Sequence, residues 1–271
     1  MAEHAIDVQV NGGWLDSFGY ELPVEEGVAC TSFLNQYLIE AARSAGNLLH
    51  LGSVPLQDGE KGARLLEELM GEGFAGVMIG TQPYGNHGCH DALELDPFWA
   101  AAFGLGAVVF IHPMYGCRDD RLLDYDMINA VDHGLDTSTA VAPMLFAGHF
   151  TKYTGMSVVL PHEGGALPWV IGRLLRNVEM HPVQYADPAE GFERYYFDAV
   201  VFDTDALRYL VAKAGADKVM LGSDYPFPIG DHTPRNVVHR AEFNEKDQAA
   251  ILRDMEAKLL CLQGDESDGF C

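Results

Sequence analysis

The 271-residue chain carries 40 acidic against 17 basic side chains, a formal net charge of −23, and 48% of its residues are hydrophobic. That length suits one large domain or two small ones, and it buries enough surface to hold a core without disulfides or a structural metal. The acidic excess argues against a nucleic-acid partner, which needs clustered Lys and Arg, and against anionic membrane surfaces; its plain meaning is solubility.

The first residues, Met-Ala-Glu-His, lack the basic and apolar regions of a signal peptide. No apolar run approaches the roughly 18 residues of a membrane span. The cysteines Cys30, Cys89, Cys117, Cys261 and Cys271 are odd in number and form no CxxC, which predicts a reducing, cytoplasmic home. Strands are predicted over 6–10, 48–54, 76–79, 107–111, 157–160, 196–201 and 218–221, several of them apolar throughout, as parallel strands buried on both faces are. Helices are predicted over 28–44, 60–72, 97–105, 137–153, 168–176, 204–214 and 244–262. Asp136 and Asp203 read as helix N-caps, and Gly46, Gly73, Gly106, Gly155 and Gly215 as helix stops.

Alternating strands and helices predict an α/β fold with a parallel sheet. Asn11-Gly12-Gly13-Trp14 is not a GxGxxG loop, so a (β/α)8 barrel fits better than a dinucleotide fold. Seven strands are read, one short of that barrel. A single barrel domain is expected over 1–262, followed by an acidic tail over 263–271.

In such barrels the chemistry sits at the C-terminal strand ends. Here one strand runs into His112-Pro113, another into Pro161-His162-Glu163-Gly164-Gly165, and the last into Gly222-Ser223-Asp224-Tyr225-Pro226-Phe227-Pro228. Each ending is weak evidence alone. Together they offer imidazoles and a carboxylate suited to a divalent metal and to proton transfer.

These endings, with Val54–Asp58, Gly76–Thr81, His162–Pro168 and Ile171–Arg173, resemble the amidohydrolase superfamily. Within it the chain resembles the aminocarboxymuconate-semialdehyde decarboxylase-like group, over residues 5–262 in order. The resemblance implies a (β/α)8 TIM barrel of the metal-dependent hydrolase type holding one divalent metal, zinc first and manganese second. It implies that His112 and Asp224 are metal ligands and that His162 is the catalytic histidine beside the metal-bound water. It further implies a small-molecule carboxylate substrate and a homodimer.

Several positions depart from the pattern. The group's first strand bears a His-x-His or Glu-x-His pair; His4 stands alone here, and the segment 5–10 resembles the second strand. The barrel is therefore expected to lack its first strand in this chain, whether through a misassigned start, truncation or real loss. Glu163 replaces a glycine and is expected to raise the pKa of His162 if it lies close. His181 stands where decarboxylase members offer an arginine to the neighbouring subunit's substrate.

Three functions follow. One is a metal-dependent decarboxylase of a small unsaturated or aromatic carboxylate, with His162 assisting proton delivery. Another is a metal-dependent hydrolase of a lactone, ester or amide, with Asp224 as the base. The third is an inactive barrel, because His112 and Asp224 alone fall short of the three protein ligands usual in a catalytic zinc site. Trp14, Phe18 and Tyr20 follow the first predicted strand, and Trp14 is a candidate substrate contact. His87, Cys89 and His90 read as a solvated loop rather than a metal cluster, and Trp169 as packing.

Overall fold

The computed structural model describes residues 6–45, 47–83, 89–114, 116 and 119–260. Among these, seven parallel strands form one sheet in chain order: β1 (Gln9–Asn11), β2 (Leu48–Gly52), β3 (Gly76–Gly80), β4 (Val108–His112), β5 (Ser157–Leu160), β6 (Tyr195–Asp198) and β7 (Val219–Met220). The fold is α/β and of the barrel type, with the seven strands that the sequence predicts. β1 and β7 are the two edges among the described residues.

Strand alternation separates two apolar layers. Val77, Ile79, Val109, Ile111, Val158, Leu160, Phe197 and Val219 belong to the large core that the sheet shares with the helices. Leu51, Val108, Val159 and Met220 pack on the inner side with Met78, Phe110 and Tyr196. Burial on both faces explains why these strands read as near-continuous apolar runs.

The principal helices are α1 (Val24–Ala45), α2 (Gly59–Gly71), α3 (Asp96–Leu105), α4 (His133–Phe146), α5 (His149–Lys152), α6 (Leu167–Met180), α7 (Pro188–Phe192) and α8 (Thr204–Ala214). The Asp203 carboxylate accepts from the amides of Asp205 and Ala206, both at 2.9 Å, so α8 starts where the cap predicts. α1 starts four residues earlier than predicted, directly after Pro23, with Glu25 and Glu26 in its first turn, where acidic groups favour a helix N-terminus.

The predicted helix over 137–153 is two helices. α4 starts earlier, at His133, after a π-helical stretch over Ile128–Asp132. It ends at Phe146, and Gly148 in the left-handed region (φ 69°) separates it from α5. Asp136 is not its cap. It is buried, and it accepts from the Thr81 hydroxyl, from Gln82 Nε2 at 3.0 Å and from the Met114 amide at 2.9 Å. These long-range bonds outweigh the local capping preference. β6 stops at Asp198 rather than at residue 201, because that carboxylate accepts from the Val200 amide at 3.1 Å and turns the chain out of the sheet.

The final helical stretch runs from Glu245 through a π segment at Ala250–Asp254 to Leu259. No helix among the described residues is long and apolar enough to cross a membrane.

Candidate active site

His112 closes β4, in register with Gly80 at the end of β3. Its Nδ1 lies 2.7 Å from the Pro113 carbonyl oxygen, a bond that orients the ring and leaves Nε2 for the site. His162 follows β5 in a turn where both it and Glu163 take left-handed backbone conformations (φ 52° and 55°). Gly165 closes that turn at φ 61°, and a Cβ there would sit 2.2 Å from the Gly134 carbonyl oxygen, so only glycine allows α4 to approach. Asp224 follows β7, also in a left-handed conformation (φ 54°). Its loop folds back through a bond from the Asp231 amide to the Ser223 oxygen, 2.7 Å.

These three strand ends converge. One ligand atom from each of His112, His162 and Asp224 lies within 4.8 Å of the others. The sequence counts His112 and Asp224 as donors; the structure sets the His162 imidazole beside that pair, close enough to act on whatever the pair holds. Burial pushes His112 down to about 4 and His162 down to about 3, with the neighbouring imidazoles adding to the effect. Both rings are therefore neutral, the state in which imidazole binds a metal. Burial raises the Asp224 carboxyl to about 6, a cost that a cation beside it relieves. This donor set fits a divalent metal.

Glu163 does not raise His162 as expected. Burial and the imidazoles His112 and His133 all push that histidine the other way. Glu163 is itself raised to about 7, by burial and then by Asp198 and Asp203. Asp198, buried, is raised to about 7 by burial, against the bonds it accepts from the amides of Val200 and Glu163.

The family and the fold are decided by resemblance across nearly the whole chain. The Amidohydrolase family profile matches residues 22–255. The chain belongs to the amidohydrolase family. It is 30% identical over 255 residues to a 2-amino-3-carboxymuconate-6-semialdehyde decarboxylase of Dictyostelium discoideum, covering 91% of this chain and 70% of that relative. It is 24% identical over 216 residues to a gamma-resorcylate decarboxylase of a Polaromonas strain, covering 73% and 66%. A dihydroxybenzoic acid decarboxylase from Polaromonas, solved with manganese and the inhibitor 2-nitroresorcinol, superposes with a TM-score of 0.86 at 20% identity. That superposition covers 100% of this chain and 86% of the other, and it shows the shared barrel fold. This amidohydrolase chain is accordingly an enzyme by family.

Other sequence candidates fall in different places. Trp14 lies at the rim, 47% exposed, with its ring centroid 4.8 Å from that of Phe227 in the Asp224 loop. Phe18 and Tyr20 are buried core residues. His181 caps the far end of α6, a 14-residue helix, and so sits about 20 Å along the axis from the His162 turn. Trp169 stacks on Tyr209 with centroids 4.0 Å apart, as packing predicts.

The solvated-loop reading holds for Cys89, which is exposed, but not for His90. That ring is buried against Trp99, with Nε2 3.0 Å from the Gly80 carbonyl oxygen. His4, His87 and the acidic tail lie outside the described residues.

Sequence reasoning missed His133, Asp136 and Asp198 as members of the site. Asp198 carried a strand-end signal of the kind that marked Asp224. His133 carried none, because its importance depends on where α4 begins.

Proposed function

We propose that this amidohydrolase is a metal-dependent carboxy-lyase that decarboxylates a small unsaturated or aromatic carboxylate. The observation that carries this reading is the half-buried, neutral His162 imidazole beside the His112–Asp224 pair; the aromatic contact of Trp14 with Phe227, in the loop that carries Asp224, supports it. The decarboxylase names of the Dictyostelium and Polaromonas relatives support it over the hydrolase alternative.

His112 and Asp224 would hold the metal, zinc first and manganese second. When bound, the cation supplies positive charge where negative charge develops on the substrate. The reaction breaks the bond between the substrate carbon and its carboxylate. Carbon dioxide leaves, the electron pair stays on the carbon, and a proton delivered with the help of His162 replaces the lost group. Trp14 offers a flat apolar face to an unsaturated or aromatic ring. His181, remote from its own site, would serve the substrate of a second subunit in a homodimer.

The test combines metal content with product analysis. Purified protein is expected to carry near-stoichiometric zinc or manganese, and His112→Ala to lose it. His162→Asn is expected to keep the metal and lose turnover. Incubation with aromatic carboxylates is expected to release carbon dioxide, while lactones stay intact. Unchanged metal in His112→Ala would defeat the ligand assignment, and lactone opening without carbon dioxide release would defeat the lyase reading.

A further inference from the structure

His133 is a third imidazole at this site. It opens α4, and its ring runs nearly parallel to that of His162, with centroids 6.3 Å apart and planes at 15°. His112 meets the same His162 ring edge-on at 5.5 Å. His162 is thus flanked by two imidazoles from different segments of the chain.

The backbone that carries His133 is anchored by its neighbours. The Ala166 amide donates to the Gly134 carbonyl at 3.2 Å, and the bare Gly165 backbone lets α4 press against the His162 turn. One turn further along α4, Asp136 is tied to Thr81, Gln82 and Met114, and so to the segment that follows His112. The first turn of α4 is held from both sides. The His133 ring is only half-buried, and among the described residues it has no hydrogen-bond partner. An unpartnered polar ring on an anchored backbone has a donor to offer once a substrate displaces water from the site.

The surroundings indicate what it meets. Glu163, Asp198 and Asp224 gather carboxyl groups near the site. The six ion pairs of Lys and Arg found among the described residues all lie elsewhere. Imidazole N–H groups are among the donors the site offers an acidic substrate. His162 must stand over the carbon that loses carbon dioxide, and the leaving carboxylate hangs from that same carbon. A ring parallel to His162, with its centroid 6.3 Å away, would stand beside that carboxylate.

We propose that His133 is a substrate-contacting residue whose imidazole donates a hydrogen bond to the substrate's carboxylate. This rests on the carboxylate reading above. The experiment is isothermal titration of manganese-loaded wild-type protein, His133→Phe and His133→Asn with two probes, benzoate and benzyl alcohol, which share a ring and differ in the carboxylate. Metal content is measured alongside as a check on folding.

His133→Phe is expected to weaken benzoate about tenfold or more, the size of a hydrogen bond to a charged group, with benzyl alcohol unchanged within about twofold. His133→Asn, which keeps an N–H, is expected to recover much of the benzoate affinity. Wild-type affinity for benzoate in His133→Phe, or an equal loss for both probes, would overturn the proposal while leaving the carboxylate reading intact. Wild-type protein that binds benzoate no better than benzyl alcohol would overturn both.

Discussion

Trp14 and Phe227 touch, with ring centroids 4.8 Å apart and planes tilted by 37°, although they follow the first and last strands of the sheet. The sheet is curled enough for the loops beyond its two edges to meet at the C-terminal rim. Aromatic pairs of this kind contribute ~0.5–1.5 kcal/mol beyond their buried area. Trp14→Ala is therefore expected to lower stability by no more than about 1 kcal/mol, since the ring is half exposed. It is expected to weaken binding of an aromatic carboxylate roughly tenfold with metal content unchanged. Equilibrium binding and metal analysis check this, and unaltered affinity would remove Trp14 from the pocket wall.

Asp136 anchors the segment after His112 through three donors that converge on its buried carboxylate. Asp136→Ala leaves the Thr81 hydroxyl, the Gln82 amide and the Met114 N–H without their acceptor. The expected cost is ~3 kcal/mol in denaturant unfolding. With the His112 segment released, metal affinity is expected to fall about tenfold, as when other residues that orient a ligand are lost. A variant with normal stability and normal metal affinity would show that the network is dispensable.

Gly165 permits the contact between α4 and the His162 turn. Its φ of 61° and the 2.2 Å approach of a Cβ to the Gly134 oxygen leave no room for a side chain. Gly165→Ala is expected to destabilise the protein by about 2–4 kcal/mol, read as a lower urea midpoint with an unchanged slope. An unshifted midpoint would contradict the close approach.

Glu256, in the last helix among the described residues, is raised from 4.5 to about 8 by burial, opposed by its bond to the Leu221 backbone. The folded protein holds a proton there that the unfolded chain releases near pH 4.5. Its contribution is fully present below that pH and is lost as pH rises through about 8. Glu256→Gln is expected to flatten the fall in stability between pH 5 and 8, by roughly 2–4 kcal/mol across that window. Thermal unfolding of both proteins over the pH range checks the sign; parallel curves would place Glu256 in solvent.

Local features were legible in the sequence where local bonds decide the outcome. α8 spans Thr204–Ala214 as predicted, because its Asp203 cap and the Gly215 that follows it lie within the segment they delimit. α4 was misplaced because Asp136, a good capping residue, bonds instead to Thr81 and Met114, far away in the chain. His90 looked like part of a polar loop because nothing in its neighbours shows that Trp99 buries it.

The same division holds at the site. The sequence by itself determined the barrel-type alternation and the ends of β4, β5 and β7, where His112, His162 and Asp224 stand. Each depends on a strand's apolar run and the residue that ends it. Only the tertiary structure decided which side chains meet: that His162 stands within 4.8 Å of the His112 and Asp224 ligand atoms, that His133 lies along it, and that Trp14 reaches Phe227. Those meetings depend on the curl of the sheet and on the glycine contact that seats α4, and both bring together residues that no local pattern links.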